Sequence, residues 1–274
     1  MTPIKTIEAG GATIPIVGLG TWTLRGRDCV RLVEQAIELG YRHVDTAQMY
    51  DNEAEVGEGV RNSGQRDRVF VTTKVKPESL HAKDVERSVK DSLARMQLPY
   101  ADLVLIHWPN PRIPLAETIG ALNKIRREGL TRHIGVSNFT VALLDEAIKL
   151  SDAPIVCNQF ECHPFLDQSK LIAACRKHKV AVVAYSPIAR GRADGSELLE
   201  NIATAHGKSA AQVSLRWLVQ QGIVVIPRTS KVERLEQNID LFDFELGDAE
   251  MKSIAALGKS RSRIVDWAYS PKWD

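Results

Sequence analysis

Strand-length apolar runs and helix-length amphipathic windows alternate along this chain almost without a break. The runs are read at residues 16–20, 42–46, 69–74, 102–107, 132–136, 155–160, 180–185 and 223–227. Between them, apolar residues at helical spacing predict helices over Cys29–Leu39, Ala82–Met96, Leu115–Glu128, Val141–Leu150 and Ser169–His178. A helix between two strands carries the chain back along the sheet, so repeated units lay down parallel strands. Eight such units predict a closed (β/α)8 TIM barrel, for which 274 residues is an ordinary length.

The flanks fit that frame. Lys5–Ala9 and Ala12–Ile16 surround Gly10-Gly11, a pair suited to a two-residue turn, and are expected to form a hairpin at the barrel bottom. Ser209 precedes Gln212 at capping-box spacing, ahead of the apolar stretch from Val213 to Leu218. Gly247–Leu257 is read as an extra helix after the eighth unit, followed by a C-terminal tail. No Pro/Ser-rich linker or low-complexity run intervenes, so residues 1–274 read as a single domain.

Composition excludes several classes of function. An apolar share of 44% supports a buried core and argues against disorder. A net charge of +2 is too small to imply nucleic acid or membrane as a partner, so any cationic site must be local. The N-terminus lacks the apolar core of a signal peptide, and no run approaches the roughly 18 residues of a membrane span. The cysteines at 29, 157, 162 and 175 form no CxxC pair. Cys157, Cys162 and His163 have no second ligand pair at zinc spacing, so no metal is expected. Buried, reduced thiols in a cytoplasmic, monomeric protein are the reading.

Asp45, Lys74 and His107 close three successive apolar runs, and Tyr50 follows Asp45 by five residues. Taken singly, each has an ordinary structural role: a helix-capping acid, a packed ring, an exit to solvent, a core histidine. In a barrel, however, strand C-termini share one face, and that face is where barrel enzymes do their chemistry. There the four side chains could form a proton-donating site. Reducing a carbonyl by hydride transfer makes an alkoxide, which an acid must protonate. A tyrosine of ordinary pKa, about 10, can donate near neutrality but regenerates poorly, and a neighbouring ammonium is expected to lower that pKa. Lys74 would supply the ammonium, Asp45 would hold it charged, and His107 would orient the carbonyl oxygen as a neutral donor.

The run from Gly40-Tyr41-Arg42-His43-Val44-Asp45-Thr46-Ala47-Gln48-Met49-Tyr50 through Asn52-Glu53 to Val56-Gly57 resembles the signature of the aldo-keto reductase family. Asp45-Thr46-Ala47-Gln48, Ile106-His107-Trp108-Pro109 and the terminal Trp273-Asp274 are most similar to its bacterial 2,5-diketo-gluconate reductases. The resemblance implies the same four roles for Asp45, Tyr50, Lys74 and His107. It also implies NADPH-dependent reduction of small aldehydes and ketones, including keto-sugars and 2-oxo-aldehydes.

No GxGxxG follows a strand, so a Rossmann site is absent, and late barrel loops would hold the cofactor instead. By resemblance, Arg228, Thr229, Ser230 and Arg234 grip the adenosine 2′-phosphate, with Lys231 adding a charge. Gln237 stands where a glutamate often contacts the adenine amine, next to Asn238. Ser137, Asn138 and Gln159 would bind the nicotinamide carboxamide, and Tyr185, followed by Ser186, would stack on the ring. Thr21 and Trp22 would line the cofactor and substrate sides of the first loop, with Trp108 on the substrate side. Lys76 replaces a tryptophan common in the family; either it faces a substrate carboxylate, or Pro77 turns it outward. The aromatic tail either faces substrate or merely packs. A catalytically weak NADPH-binding regulatory barrel and a cofactor-free sugar-phosphate isomerase or lyase are the alternative readings.

Overall fold

The structure, a computed structural model, describes residues 5–260 and 262–274; residues 1–4 and Arg261 of the tail lie outside the described residues. It opens with β1 (Thr6–Ala9) and β2 (Ala12–Pro15), paired antiparallel. Gly10 and Gly11 turn between them at φ of 55° and 84°, a region that a β-carbon disfavours and a two-residue hairpin requires.

Among the described residues, eight parallel strands follow: β3 (Leu19–Gly20), β4 (His43–Asp45), β5 (Phe70–Val75), β6 (Ala101–Ile106), β7 (Thr131–Ser137), β8 (Ile155–Glu161), β9 (Ala181–Tyr185) and β10 (Val224–Val225). Sequence neighbours are sheet neighbours from β3 to β10. The sheet then closes on itself. Gly18 N donates to Val225 O at 2.8 Å, Val225 N to Ile16 O at 2.9 Å, and Gly20 N to Pro227 O at 3.1 Å. The runs expected at 16–20 and 223–227 therefore form the closing seam, but as short strands. Pro227, just past β10, lacks the N–H that would extend that strand.

The outer ring comprises α1 (Gly26–Glu38), α2 (Glu53–Asn62), α3 (Ala82–Met96), α4 (Leu115–Arg127), α5 (Val141–Leu150), α6 (Ser169–Lys177), α7 (Glu197–His206), α8 (Ala210–Gln220), α9 (Val232–Ile239) and α10 (Asp248–Ala256). The five expected helices are present, and α10 is the expected extra one. Ser209 and Gln212 form the reciprocal cap of α8, with Gln212 N donating to Ser209 Oγ at 3.2 Å. The helix α2 is hidden in the sequence by Gly57 and Gly59. A β-carbon at Gly57 would overlap the Met96 carbonyl, so glycine there serves the close approach of α2 to the end of α3.

Strand alternation divides the core. On β6, Leu103 and Leu105 point into the barrel with Phe70, Cys157 and Val183, whereas Val104 and Ile106 pack outward against the helices. Ile14 of the hairpin joins the inner group, so β1 and β2 plug the bottom. The opposite end is left open for polar side chains.

Candidate active site

The alternation that puts leucine inside β6 puts polar groups inside its neighbours near their C-terminal ends. Asp45 pairs in register with Thr72, and Lys74 with Leu105. Lys74 and Asp45 are 0% and 1% exposed, yet both carry groups that ionise. They are tolerable there because each satisfies the other. Lys74 Nζ donates to Asp45 Oδ1, to Thr46 O at 2.9 Å and to Tyr50 Oη at 3.2 Å, using all three of its protons. Burial opposes the charge on Lys74, but Asp45 and then Tyr50 outweigh it, and its pKa lies above the ordinary lysine value. It is an ammonium at any physiological pH.

Tyr50 differs from the sequence expectation. Burial raises its pKa above the ordinary tyrosine value, and the Lys74 ammonium only moderates that rise. The phenol therefore keeps its proton, as an acid must. The rings of Tyr50 and His107 meet edge-on with centroids 5.5 Å apart. Burial, then the Lys74 charge, holds His107 well below the ordinary histidine value, so its ring is neutral.

A hollow of about 650 Å³ opens above this cluster. Of the residues singled out in the sequence, Thr21, Trp22, Asp45, Tyr50, His107, Trp108, Asn138, Gln159, Tyr185, Ser186, Arg228 and Arg234 line it. Asn138 adopts a φ of 63° and ties the floor together. It donates through Nδ2 to His107 O at 3.0 Å and to Ser137 Oγ at 3.0 Å, and it accepts from Tyr185 Oη at 2.8 Å. Ser137 thus sits behind the lining rather than in it. Thr229 is buried, and its Oγ1 accepts from Lys231 N at 3.0 Å in the turn into α9. Ser230, Lys231 and Gln237 are exposed around that helix, and Asn238 is buried beneath it; none of the four lines the hollow.

Lys76 is placed elsewhere. The strand ends at Val75, Pro77 begins a short turn, and Lys76 is held extended at φ −69° and ψ 152°. Its side chain is exposed on a separate polar hollow with Asp51, Glu55 and Asp91. The reading in which Lys76 faces a substrate carboxylate is therefore corrected in favour of the outward turn.

The structure adds residues that sequence reading passed over. These are Met49, Ile188 and Arg190, which line the hollow beside Val265 and Trp267 of the tail, for which facing the site is one of the sequence's two open readings. Arg190 lies over the Trp22 ring at 4.7 Å, and Arg228 Nε donates to Trp22 O at 3.2 Å. Among the described residues Arg190, Arg228 and Arg234 have no carboxylate partner, so three unneutralised guanidiniums face one cavity. That donor set suits phosphate. With the Tyr185 ring and the Asn138 and Gln159 amides on the floor, the residues present fit a nicotinamide dinucleotide.

The aldo/keto reductase family model matches residues 16–259. The chain belongs to the aldo/keto reductase family. Methylglyoxal reductase DkgB of Escherichia coli O157:H7 is 39% identical over 265 residues, covering 95% of this chain and 99% of that protein. Glyoxal reductase of Bacillus subtilis is 41% identical, covering 91% of each. A crystal structure named, as a provisional assignment, 2,5-diketo-D-gluconic acid reductase B superposes with a TM-score of 0.97 at 44% identity, over 99% of this chain and 98% of that one. An aldo-keto reductase of Bombyx mori in complex with NADP gives 0.89 at 35% identity, over 96% and 95%. This aldo-keto reductase is accordingly an NADPH-dependent oxidoreductase acting on carbonyl groups.

Proposed function

We propose that this aldo-keto reductase reduces small neutral aldehydes and ketones, 2-oxo-aldehydes such as methylglyoxal among them, with Tyr50 as the acid. The observation that carries the reading is the contact of Tyr50 Oη with Lys74 Nζ at 3.2 Å, at the floor of the hollow and beside His107. NADPH, when bound, supplies the hydride. The protein's part is proton delivery and positioning. Tyr50 releases its proton toward the developing alkoxide, and the fixed Lys74 ammonium stabilises the phenolate left behind. Asp45 keeps Lys74 in place. His107, being neutral, can donate to the carbonyl oxygen without competing as an acid. Arg228 and Arg234 would hold the 2′-phosphate, and Asn138 and Gln159 the carboxamide.

The hollow is walled in part by Trp22, Met49, Trp108 and Trp267, so shape and apolar contact would select the substrate. Keto-sugars are within the class, but with Lys76 turned away its ammonium does not favour their acids. A single-domain, monomeric enzyme of the cytoplasm completes the reading. Among the described residues, no helix is long and apolar enough to cross a membrane.

The test is loss of NADPH absorbance with methylglyoxal, an aromatic aldehyde and a keto-sugar. Turnover of at least the first two is expected. Tight NADPH binding with no turnover across the panel would favour a regulatory barrel.

A further inference from the structure

Glu161 ends β8 two residues beyond Gln159 and on the same inward face, yet it lines no part of the hollow. Its side chain is completely buried. A carboxylate is unfavourable there unless donors replace its water. Two of those donors come from the C-terminal tail. Ile264 N donates to Oε1 at 2.7 Å and Val265 N to Oε2 at 2.7 Å, across 103 and 104 residues of sequence. The third is His163. Its Nδ1 accepts from Phe165 N at 3.2 Å, which leaves the proton on Nε2, 2.9 Å from Glu161 Oε1.

The amides held by Glu161 lie directly before the part of the tail that walls the site. Val265 and Trp267 line the hollow, and the Trp267 ring meets Trp108 edge-on at 5.8 Å. Elsewhere the tail is tied to the loop after β8, where Phe165 O accepts from Ser262 N at 3.0 Å, to Trp108, whose ring also meets Trp273 edge-on at 6.1 Å, to itself and to α5. The Arg263 guanidinium lies 3.7 Å from the Trp273 ring, Trp273 Nε1 donates to Asp266 Oδ1 at 3.3 Å, and Val141 N on α5 donates to Asp274 Oδ2 at 2.9 Å. Among the described residues, Glu161 is the strand side chain that accepts hydrogen bonds from the wall-forming stretch.

We propose that Glu161 is a positioning residue for the substrate wall. By holding the Ile264 and Val265 amides it fixes where Val265 and Trp267 stand, and so sets the KM for bulky carbonyl substrates. The proposal rests on the reductase reading above. A carboxylate accepts only, which matches three donors; Glu161→Gln would put an NH2 against one of them.

In Glu161→Gln, KM for a bulky aromatic aldehyde is expected to rise about tenfold with kcat nearly unchanged. KM for a three-carbon aldehyde and Kd for NADPH are expected to stay within about twofold of wild type. Amide exchange at Ile264 and Val265 should accelerate while β8 amides keep their protection. Trp267→Ala should raise the aromatic KM similarly, and the double variant should be no worse than the worse single one. Equal KM rises for both aldehydes, weaker NADPH binding, or additive effects in the double variant would overturn the proposal. If Glu161→Gln does not fold, Ile264→Pro removes a donor from the tail side, and an unchanged aromatic KM in that variant would overturn it too. Failure of the wild-type enzyme to reduce any aldehyde would instead sink the reductase reading, and amide exchange would still test the clamp.

Discussion

Gln159 donates through Nε2 to Asp45 Oδ2 at 2.7 Å, the carboxylate oxygen that Lys74 does not use. The two residues stand 114 positions apart in sequence. With both its oxygens engaged, Asp45 cannot swing away from Lys74, and the ammonium stays beneath Tyr50. The same bond orients the Gln159 amide. Its NH2 group faces Asp45, so its carbonyl oxygen is left as the acceptor toward the hollow. That suits a carboxamide NH2, and on the proposed reading it would link cofactor binding to the proton-donating cluster through one side chain.

Replacing Tyr50 by Phe deletes the proposed acid and little else, since the ring keeps its place against His107. The kcat/KM is expected to fall at least about 100-fold, with NADPH affinity nearly unchanged. Steady-state reduction at wild-type rates in this variant would show that the proton comes from another group.

Arg234 lines the hollow from α9 with no carboxylate partner among the described residues. Arg234→Ala is expected to weaken NADPH about tenfold or more and NADH far less, because NADPH alone carries the 2′-phosphate. Tryptophan fluorescence quenching would read both Kd values. Equal losses for the two cofactors would make Arg234 a structural residue.

Lys76 donates its backbone N–H to Gln48 Oε1 at 3.0 Å and keeps its ammonium in solvent. Lys76→Met should therefore leave the ratio of kcat/KM for matched anionic and neutral carbonyls within about twofold of wild type. A fall in that ratio would show that the ammonium reaches the substrate after all.

Acid stability follows from two buried, neutral histidines. Burial pushes His43 down to about 4, and His107 lies well below the ordinary value. As pH falls, the unfolded chain takes up a proton near 6.5 before the folded protein does. The stability that depends on a neutral His43 is complete above about 6.5 and is lost progressively toward pH 4. Its loss is on the order of 3 kcal/mol for His43 alone. Urea unfolding at pH 7, 5.5 and 4 measures this, and a flat profile across that range would contradict it.

Much of the candidate site's placement was legible because a strand's two-residue alternation is written in the sequence. Asp45, Lys74 and His107 each follow apolar runs of the right length, so their place at one barrel end follows from the unit repeat. The same logic could have found Glu161, two residues beyond Gln159 on the inward face. The helix α2 was missed because its glycines answer to the approach of α3, a contact between helices rather than a local preference. The arginine over Trp22 was missed because Arg190 sits at a φ of 54° in a loop whose path no periodicity records.

Local periodicity and the strand-end polar groups settle the barrel and the chemistry it can host, since both depend on neighbours in sequence. Charge state and wall position do not. Whether Tyr50 rises or falls in pKa depends on burial against a charge delivered from the next strand. Whether Lys76 meets substrate depends on a proline turning the chain after the strand ends. Where the tail stands depends on a carboxylate 103 residues earlier finding two amides. The charge on Tyr50 and the place of the tail are balances between groups that only the closed barrel brings within hydrogen-bonding distance.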